Sequence, residues 1–253
     1  MQSIFDADGE RALAQLLAAP TLIAFDFDGT LVPIVARPED SRLDERMRQA
    51  LRALAPLAPL AIVSGRSAAD LRQRAEVGAR YLVGNHGNEG LPGSSSQAAA
   101  AIAICARWLA ALRQRLPAVL NDPGVRFEDK TRTLSLHYRG ARDPEAAAAA
   151  LRGLIDELDP PPKLIGGKFV FNLLPPGALT KFEALQRLSE HAQAASLLFV
   201  GDDDTDELAF RQAPAHWLTV RVEPPADSHA RFSIERQRQV VDLIDRLVAR
   251  LRG

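Results

Sequence analysis

Two aspartates one residue apart, Asp26 and Asp28, end an apolar run in the segment FDFDGTL. The apolar residues 22–25 predict a buried strand, and two like charges at its end disfavour each other's ionisation. A carboxylate held ionised can act as a nucleophile and form an aspartyl-phosphate. A second carboxylate that stays partly protonated can protonate a leaving oxygen. The pair therefore predicts phosphoryl transfer, with Asp26 as nucleophile and Asp28 as proton donor.

A second acidic segment, GDDDTD at residues 201–206, follows a late apolar run. So many carboxylates at strand ends suit a hard divalent cation with oxygen ligands. Mg²⁺ takes one or two carboxylates and keeps waters and substrate phosphate. The sequence therefore predicts a Mg²⁺ cofactor. Asp26 and Asp28 alone would also suit turn or helix-capping acids, and the second segment argues against that alternative.

Two further residues have the chemistry to hold a phosphate group. Ser64, in the segment SGR, can donate its hydroxyl beside the backbone N–H of Gly65 at a predicted helix start. Lys181, in the predicted helix TKFEALQRLSEH, can supply a fixed positive charge to a transferring phosphoryl group. Ser64 also suits a helix N-cap, and the two roles are compatible.

The surrounding pattern explains how these residues would meet. Short apolar runs alternate with amphipathic stretches, which is typical of a parallel sheet covered by helices on both faces. Ligands of such sheets bind at the carboxyl ends of the strands. The segments DFDGT, SGR, GNHG and GDDDTD all fall there, so Gly65, Arg66, Asn85 and His86 are expected to contact the substrate. His86 also suits a hydrogen-bonded loop histidine.

The middle of the chain has a different pattern. After the linker-like segment LPGSSSQ, the order of elements is αββαββ, and the strands alternate with period two. In TLSLHYR the polar residues share one face and the leucines and tyrosine the other, and KFVFNLL places Lys168 and Asn172 opposite Phe169, Phe171 and Leu173. Such a sheet would bury its apolar face and leave its polar face free.

These patterns predict an α/β fold with two domains. The core is a doubly wound, Rossmann-like parallel sheet formed by residues 1–91 and 176–253. A smaller α+β cap domain, residues 92–175, is inserted between them.

Five ordered motifs, DFDGTL, SGR, GNHG, Lys181 and GDDDTDELAF, resemble those of haloacid-dehalogenase-superfamily phosphatases. Together with FEDK, HYR and GGKFVF, the chain is similar to the trehalose-6-phosphate phosphatase family from about residue 22 to 210. The resemblance implies hydrolysis of trehalose 6-phosphate through an aspartyl-phosphate. It implies Mg²⁺ on Asp26, the Asp28 carbonyl and Asp202, with Asp206 supporting the metal site. It also implies sugar contacts in the cap from Glu128, Lys130, Arg139 and Lys168.

Two positions depart from the family pattern. Phe182 follows the lysine where the family usually has glycine, which affects packing. Asn172 stands where the family usually has glutamate, which affects sugar recognition and keeps another sugar or glycosyl phosphate open as the substrate. Glu128 and Lys130 also suit a solvated ion pair at a hairpin turn. His137 receives no role.

Composition excludes several other classes. A net charge of −1 and a basic segment interrupted by Glu235 argue against nucleic acid as a partner. One cysteine, Cys105, excludes an internal disulfide and suits a reducing compartment. No stretch has 18 apolar residues, and the N-terminal segment has acids where a signal peptide needs a basic region, so a cytoplasmic protein without a membrane partner is expected.

A sensor and a phosphomutase are the alternatives from other functional classes. A non-catalytic sugar-phosphate sensor of the same fold would usually lack the nucleophile or the metal acids, which are present here. A phosphomutase shares the aspartyl-phosphate chemistry but rephosphorylates its product. A functional link to a separate trehalose-phosphate synthase is also expected.

Overall fold

The computed structural model describes residues 1–35, 37–93, 98–119, 121–167 and 169–253. Most of the predicted linker, residues 94–97, and the predicted sugar ligand Lys168 lie outside the described residues. The chain forms two compact units, Met1–Pro92 with Leu179–Gly253, and Gly93–Ala178. Among the described helices, none has the length and hydropathy needed to cross a membrane.

The helices and strands follow the predicted alternation. In chain order they are β1 (Gln2–Ser3), α1 (Ala7–Leu17), β2 (Thr21–Phe25), α2 (Glu45–Leu54), β3 (Leu60–Val63), α3 (Ala68–Arg74), β4 (Tyr81–Val83), α4 (Ala98–Val119), β5 (Arg126–Asp129), β6 (Leu134–His137), α5 (Pro144–Asp156), β7 (Lys163–Gly167), β8 (Val170–Leu174), α6 (Lys181–His191), β9 (Ser196–Gly201), α7 (Asp204–Gln212), β10 (Trp217–Val222), β11 (Phe232–Ile234) and α8 (Val240–Arg252).

The first unit contains a parallel sheet, here called the core sheet. Within the described residues it has seven strands in the order β1-β11-β10-β9-β2-β3-β4. Side chains alternate along β2, so Ile23 and Phe25 enter one apolar core while Leu22 and Ala24 enter the other. The first core includes residues of α1, α2 and α8, and the second includes residues of α6 and α7. The predicted α/β core with helices on both faces is confirmed.

Phe182, the first departure from the family pattern, packs against the second of these cores. Its ring centroid lies 5.4 Å from that of Trp217, so the large side chain takes part in core packing.

The second unit has the predicted αββαββ order. In its described part, four strands form an antiparallel sheet, here called the second sheet, in the order β5-β6-β8-β7. Leu134, Leu136 and Leu173 are buried from this sheet in one apolar cluster with residues of α4 and α5. The turn predicted near Lys130 is present, because its N–H donates to the Thr133 carbonyl over 3.1 Å.

Two details of the second unit differ from prediction. Phe169 lies just before β8 with φ of 63° and is 39% exposed, so it is not a core-facing strand residue. A positive φ is typical of a tight turn rather than a strand. The polar face is also less open than expected, because Thr133, Ser135 and Asn172 are buried.

Candidate active site

The two acidic segments emerge side by side from the core sheet. β2 and β9 are adjacent parallel strands whose register pairs Phe25 with Val200. The Asp26 N–H donates to the Val200 carbonyl over 2.8 Å. Asp26 follows β2, and Asp202 follows β9. The carboxyl ends of the two strands therefore bring together the acids that the sequence separates by 175 residues or more.

Lys181 joins the two segments. Its Nζ donates to Asp26 Oδ1 and to Asp206 Oδ1, each over 2.7 Å, and all three side chains are buried. Thr180 and Glu183 form a capping box, which makes Lys181 the first residue of α6. A cation is unfavourable at a helix N-terminus, and the paired carboxylates offset this cost.

The acidic loop is fixed by its own side chains. Asp203 caps α7 and accepts a hydrogen bond from the Asp206 N–H over 2.9 Å. Asp206 Oδ2 accepts the N–H groups of Asp202 and Asp203 at 3.0 and 3.1 Å. Asp202 Oδ1 accepts the Thr30 hydroxyl over 2.9 Å. Asp206 thus uses one oxygen for Lys181 and the other for the loop backbone.

The electrostatics of this cluster favour a bound cation or proton. Burial raises the pKa of Asp26 well above its ordinary value, and the charges of Asp203 and Asp202 raise it further against the opposing effect of Lys181. Burial and the charges of Asp206 and Asp203 raise the pKa of Asp202 to about 8. Burial and the Asp203 charge also raise the pKa of Asp206. The cluster therefore carries more negative charge than Lys181 alone neutralises.

The donor set fits a hard divalent cation. Asp26, Asp202 and Asp206 each offer a carboxylate oxygen, and these oxygens lie within 4.8 Å of one another. Gly29, with φ of 86°, makes this approach feasible, since a Cβ there would lie 1.9 Å from Asp202 Oδ2. Asp28 is predicted to join the metal site through its backbone carbonyl, and its carboxylate turns toward Arg66.

Within the described part of the chain, the Asp28 carboxylate accepts hydrogen bonds from Arg66 and Ser41. Arg66 donates Nε to Asp28 Oδ2 over 2.5 Å and Nη2 to Oδ1 over 2.7 Å, and Ser41 donates its hydroxyl to Oδ1 over 2.9 Å. Arg66, predicted to contact the substrate, also donates to Asp70. Burial alone would lower the pKa of the Arg66 guanidinium. Its interactions outweigh burial and raise that pKa, and the hydrogen bond to Asp28 has the largest effect among them.

The predicted residues of the segments SGR and GNHG lie at the ends of β3 and β4. Ser64 is buried, and its Oγ accepts the Arg66 N–H over 3.2 Å. The N-cap alternative for Ser64 is wrong, because Ser67 caps α3. Gly65 lies against the ring of His86, where a Cβ would be 2.6 Å from His86 Cε1.

Glu89 was not singled out in the sequence but holds two of these segments together. Its Oε2 accepts Asn85 Nδ2 and the Ala68 N–H, each over 2.9 Å. The His86 N–H donates to the Ser64 carbonyl over 3.0 Å, which adds a second link between the loops. The position of Glu89 two residues after GNHG was the available signal.

The second sheet carries a separate polar group. Glu128, Ser135 and Asn172 are paired across β5, β6 and β8, and the Ser135 hydroxyl donates to Asn172 Oδ1 over 2.7 Å. His137 Nε2 lies 2.8 Å from Glu128 Oε2, and Lys130 Nζ lies 3.6 Å from it. Burial opposes ionisation of Glu128, but these two neighbours outweigh it and lower the pKa of Glu128 to about 2.

Arg139, another residue predicted to hold the sugar, lies near an aromatic ring. The Arg139 guanidinium lies 6.0 Å from the centroid of the Phe169 ring. Lys168, also predicted to hold the sugar, lies outside the described residues. His137, which sequence reasoning left without a role, is the residue that pairs with Glu128.

The chain is similar in sequence to known proteins over its whole length. The trehalose-phosphate phosphatase of Mycobacterium tuberculosis H37Rv is 32% identical over 266 residues, covering 100% of this chain and 66% of that protein. The chain thus spans about two thirds of the length of this curated relative.

Solved structures of two other proteins are similar to this chain in fold. The C-terminal domain of trehalose-6-phosphate phosphatase from C. albicans has a TM-score of 0.77 at 23% identity, covering 95% of this chain and 96% of that one. Trehalose-6-phosphate phosphatase from Aspergillus fumigatus has a TM-score of 0.67 at 25% identity, covering 98% and 99%.

The sequence model of the family described as trehalose-phosphatase matches residues 24–239, which include both acidic segments, Lys181 and the second sheet. Because this match extends over most of the chain, the protein belongs to the trehalose-phosphatase family.

Proposed function

We propose that the protein is a Mg²⁺-dependent phosphatase that hydrolyses trehalose 6-phosphate to trehalose and inorganic phosphate. The observation that carries this proposal is the cluster of Asp26, Asp202 and Asp206 around Lys181 at the strand ends. Family membership supports the sugar phosphate as substrate class. The chemistry of the residues supports phosphoryl transfer through a carboxylate nucleophile.

The reaction proceeds in two displacements. In the first, an Asp26 oxygen bonds to phosphorus while the bond from phosphorus to the sugar oxygen breaks, and Asp28 passes a proton to that oxygen. In the second, Asp28 takes a proton from water as the water oxygen bonds to phosphorus and the Asp26 bond breaks. Inorganic phosphate leaves, and both aspartates return to their starting states.

The phosphate is held by groups around the nucleophile. Ser64 Oγ accepts the Arg66 N–H, which leaves the Ser64 hydroxyl hydrogen for a phosphate oxygen. Lys181 uses two hydrogens on Asp26 and Asp206, and its third can reach the substrate. Gly65 offers its backbone N–H at the same strand end. These donors match the negative charge on the transferring group.

Mg²⁺ is the proposed metal, held by Asp26, the Asp28 carbonyl and Asp202, with Asp206 supporting the site. When bound, it neutralises charge on the carboxylates and the phosphate oxygens.

The second unit is proposed as the cap domain, which binds the sugar. Glu128, Lys130, Arg139, Lys168 and Asn172 are the proposed contacts. Asn172 supports a second candidate, because an amide can donate to a sugar oxygen that a carboxylate would repel. Another sugar or glycosyl phosphate is therefore the alternative substrate.

Two points of cellular context complete the proposal. A cytoplasmic location is supported by the single buried cysteine, Cys105, since free thiols persist in reducing compartments. A separate trehalose-phosphate synthase is the proposed functional partner, because it would supply the substrate.

The test is phosphate release from trehalose 6-phosphate, sucrose 6-phosphate and glucose 6-phosphate, each with Mg²⁺ and with a chelator. We expect trehalose 6-phosphate to have the highest kcat/KM and the chelator to abolish turnover. Isomerised sugar phosphate without phosphate release would instead identify a phosphomutase. Absence of turnover on every substrate would favour the sensor.

A further inference from the structure

The Asp28 carboxylate belongs to a ring of hydrogen bonds. Arg66 donates Nη2 to Asp28 Oδ1 and Nη1 to Asp70 Oδ2, each over 2.7 Å. Arg74 Nε donates to the other oxygen of Asp70 over 2.7 Å. Arg74 Nη1 donates to the Ser41 carbonyl over 2.8 Å, and the Ser41 hydroxyl donates to Asp28 over 2.9 Å. The ring thus closes at Asp28 Oδ1, the oxygen that accepts both Arg66 Nη2 and the Ser41 hydroxyl.

Helix α3 sets the geometry of this ring. Asp70 is four residues before Arg74, and residues at this spacing lie on one helical face, whereas Arg66 directly precedes the N-cap Ser67. Ser67 caps the helix by accepting the Asp70 N–H over 3.2 Å. The side chains of Arg66 and Arg74 are 13% and 12% exposed, so solvent screens their pairs less than a surface ion pair.

The carboxylate of Asp28 needs such support. It lies in the loop after β2 and its side chain is 31% exposed. Proton transfer requires hydrogen-bond contact between the carboxylate and the reacting oxygen. A displacement of about 1 Å can reduce a rate by about 100-fold. Arg66 contacts both Asp28 oxygens, and Asp70 fixes the guanidinium from its other edge.

We infer that Asp70 is a positioning residue, which holds Arg66 so that the Asp28 carboxylate stays where protons pass to the sugar oxygen and from water. This inference rests on the proposed function, since it requires that Asp28 transfers those protons. Asp70 acts through Arg66 and not on the substrate. Arg74 and Ser41 complete the support from the other side of the ring.

The test compares two leaving groups in the variant Asp70→Asn. The alkoxide of trehalose needs a proton to leave, whereas p-nitrophenolate does not. With trehalose 6-phosphate, we expect the rate of the first chemical step to fall by about 10- to 100-fold, whereas KM stays within about twofold of the wild-type value. Rapid-quench experiments measure that rate. The burst of p-nitrophenolate from p-nitrophenyl phosphate should change by less than about threefold. Asp70→Glu, which keeps the charge, should restore part of the loss.

Asp242→Asn is the matched control. Asp242 also lies in the first turn of its helix, α8, and accepts a hydrogen bond from Arg46 over 2.7 Å. The change therefore breaks an ion pair of the same length in the same unit, although a more exposed one, and we expect it to leave the turnover of both substrates unchanged. Circular dichroism and thermal unfolding verify that each variant is folded. If Asp70→Asn does not fold, Arg74→Lys supports the same comparison with a smaller selective loss.

The inference is overturned if Asp70→Asn slows both substrates equally, or if it behaves like Asp242→Asn. If the proposed function is wrong, the wild-type protein releases no phosphate from sugar phosphates with Mg²⁺. If only the inference about Asp70 is wrong, wild-type turnover is intact.

Discussion

The two sheets carry their polar groups in different ways. In the core sheet, the acids follow the strands, and backbone register and helix starts hold Asp26, Lys181 and Asp206 in place. In the second sheet, Glu128 and Asn172 lie on the strands and are held by side chains of neighbouring strands. Groups at strand ends leave a buried strand wholly apolar. The position of a polar side chain on a sheet face depends on the side chains of the neighbouring strands. A single substitution there therefore displaces it more easily.

The largest effect is expected at the end of β2. Asp26→Asn removes the nucleophile, and we expect turnover to fall by at least about 1,000-fold with the fold retained. The measurement is phosphate release with Mg²⁺, together with circular dichroism and beryllium fluoride binding. Asp156→Asn, an exposed acid on α5, is the control. Substantial turnover in Asp26→Asn would mean that the end of β2 does not supply the nucleophile. It would therefore contradict the difference between the two sheets.

A large loss of stability is expected when Lys181 is removed. Lys181→Met leaves Asp26 and Asp206 buried without their shared cation, which typically costs about 3 to 5 kcal/mol. Urea unfolding in a chelator measures this loss, and Lys181→Arg should keep most of the stability. Added Mg²⁺ should stabilise the Met variant. An unchanged free energy of unfolding would mean that the acids are not held through Lys181.

The binding of Mg²⁺ should depend on pH. Because the pKa of Asp202 is raised to about 8, the metal-free cluster keeps protons near neutral pH, and a cation must displace them. Lowering the pH from 8 to 6 therefore weakens binding, by up to about tenfold per pH unit for each proton displaced. Calorimetry in two buffers of different ionisation enthalpy measures the protons released. Equal affinity at both pH values would contradict this.

A smaller effect is expected at Asn172 in the second sheet. Hydrogen bonds to charged groups contribute about 1 kcal/mol more than those between neutral groups, so Asn172→Glu should shift the ratio of kcat/KM values between sugar phosphates by about fivefold. Trehalose 6-phosphate and sucrose 6-phosphate are the substrates to compare. Asn172→Asp is the control for the shorter carboxylate. Unchanged ratios in both variants would show that Asn172 does not contact the sugar.

The smallest effect concerns His137. Glu128 has a pKa lowered to about 2 from 4.5, so its pairing stabilises the fold above pH of about 4.5 and is lost as pH falls toward 2. His137→Ala should raise the pKa of Glu128 in an NMR titration. Because Glu128 is half-exposed, stability at neutral pH should change by less than about 1 kcal/mol. A Glu128 pKa that does not move would exclude His137 as its partner.

Strong periodic patterns were sufficient to predict most of the fold. Strands β2, β3 and β9 are continuously apolar, and the alternation in β6 identified the face that packs on helices. The short strands β1 and β11 and helix α1 were not predicted. β1 and β11 have two and three residues, too few for a period to show, and pairing with the core sheet defines them.

Sequence reasoning predicted those parts of the candidate site whose positions depend on charge and on strand order. The acids are brought together because parallel strands end at one edge of the sheet, and Lys181 joins them from the start of α6. Contacts that depend on side-chain direction were not predictable. Arg66 turns to Asp28, Ser67 rather than Ser64 caps α3, and His137 meets Glu128 across two strands.

The two amides bonded to Asp206 provide a way to observe the site without a substrate. The N–H groups of Asp202 and Asp203 donate to one carboxylate oxygen, whereas most buried amides donate to a carbonyl. A proton or a cation on Asp206 weakens that oxygen as an acceptor. The chemical shifts and exchange rates of two backbone amides therefore report the charge state of the acid cluster directly.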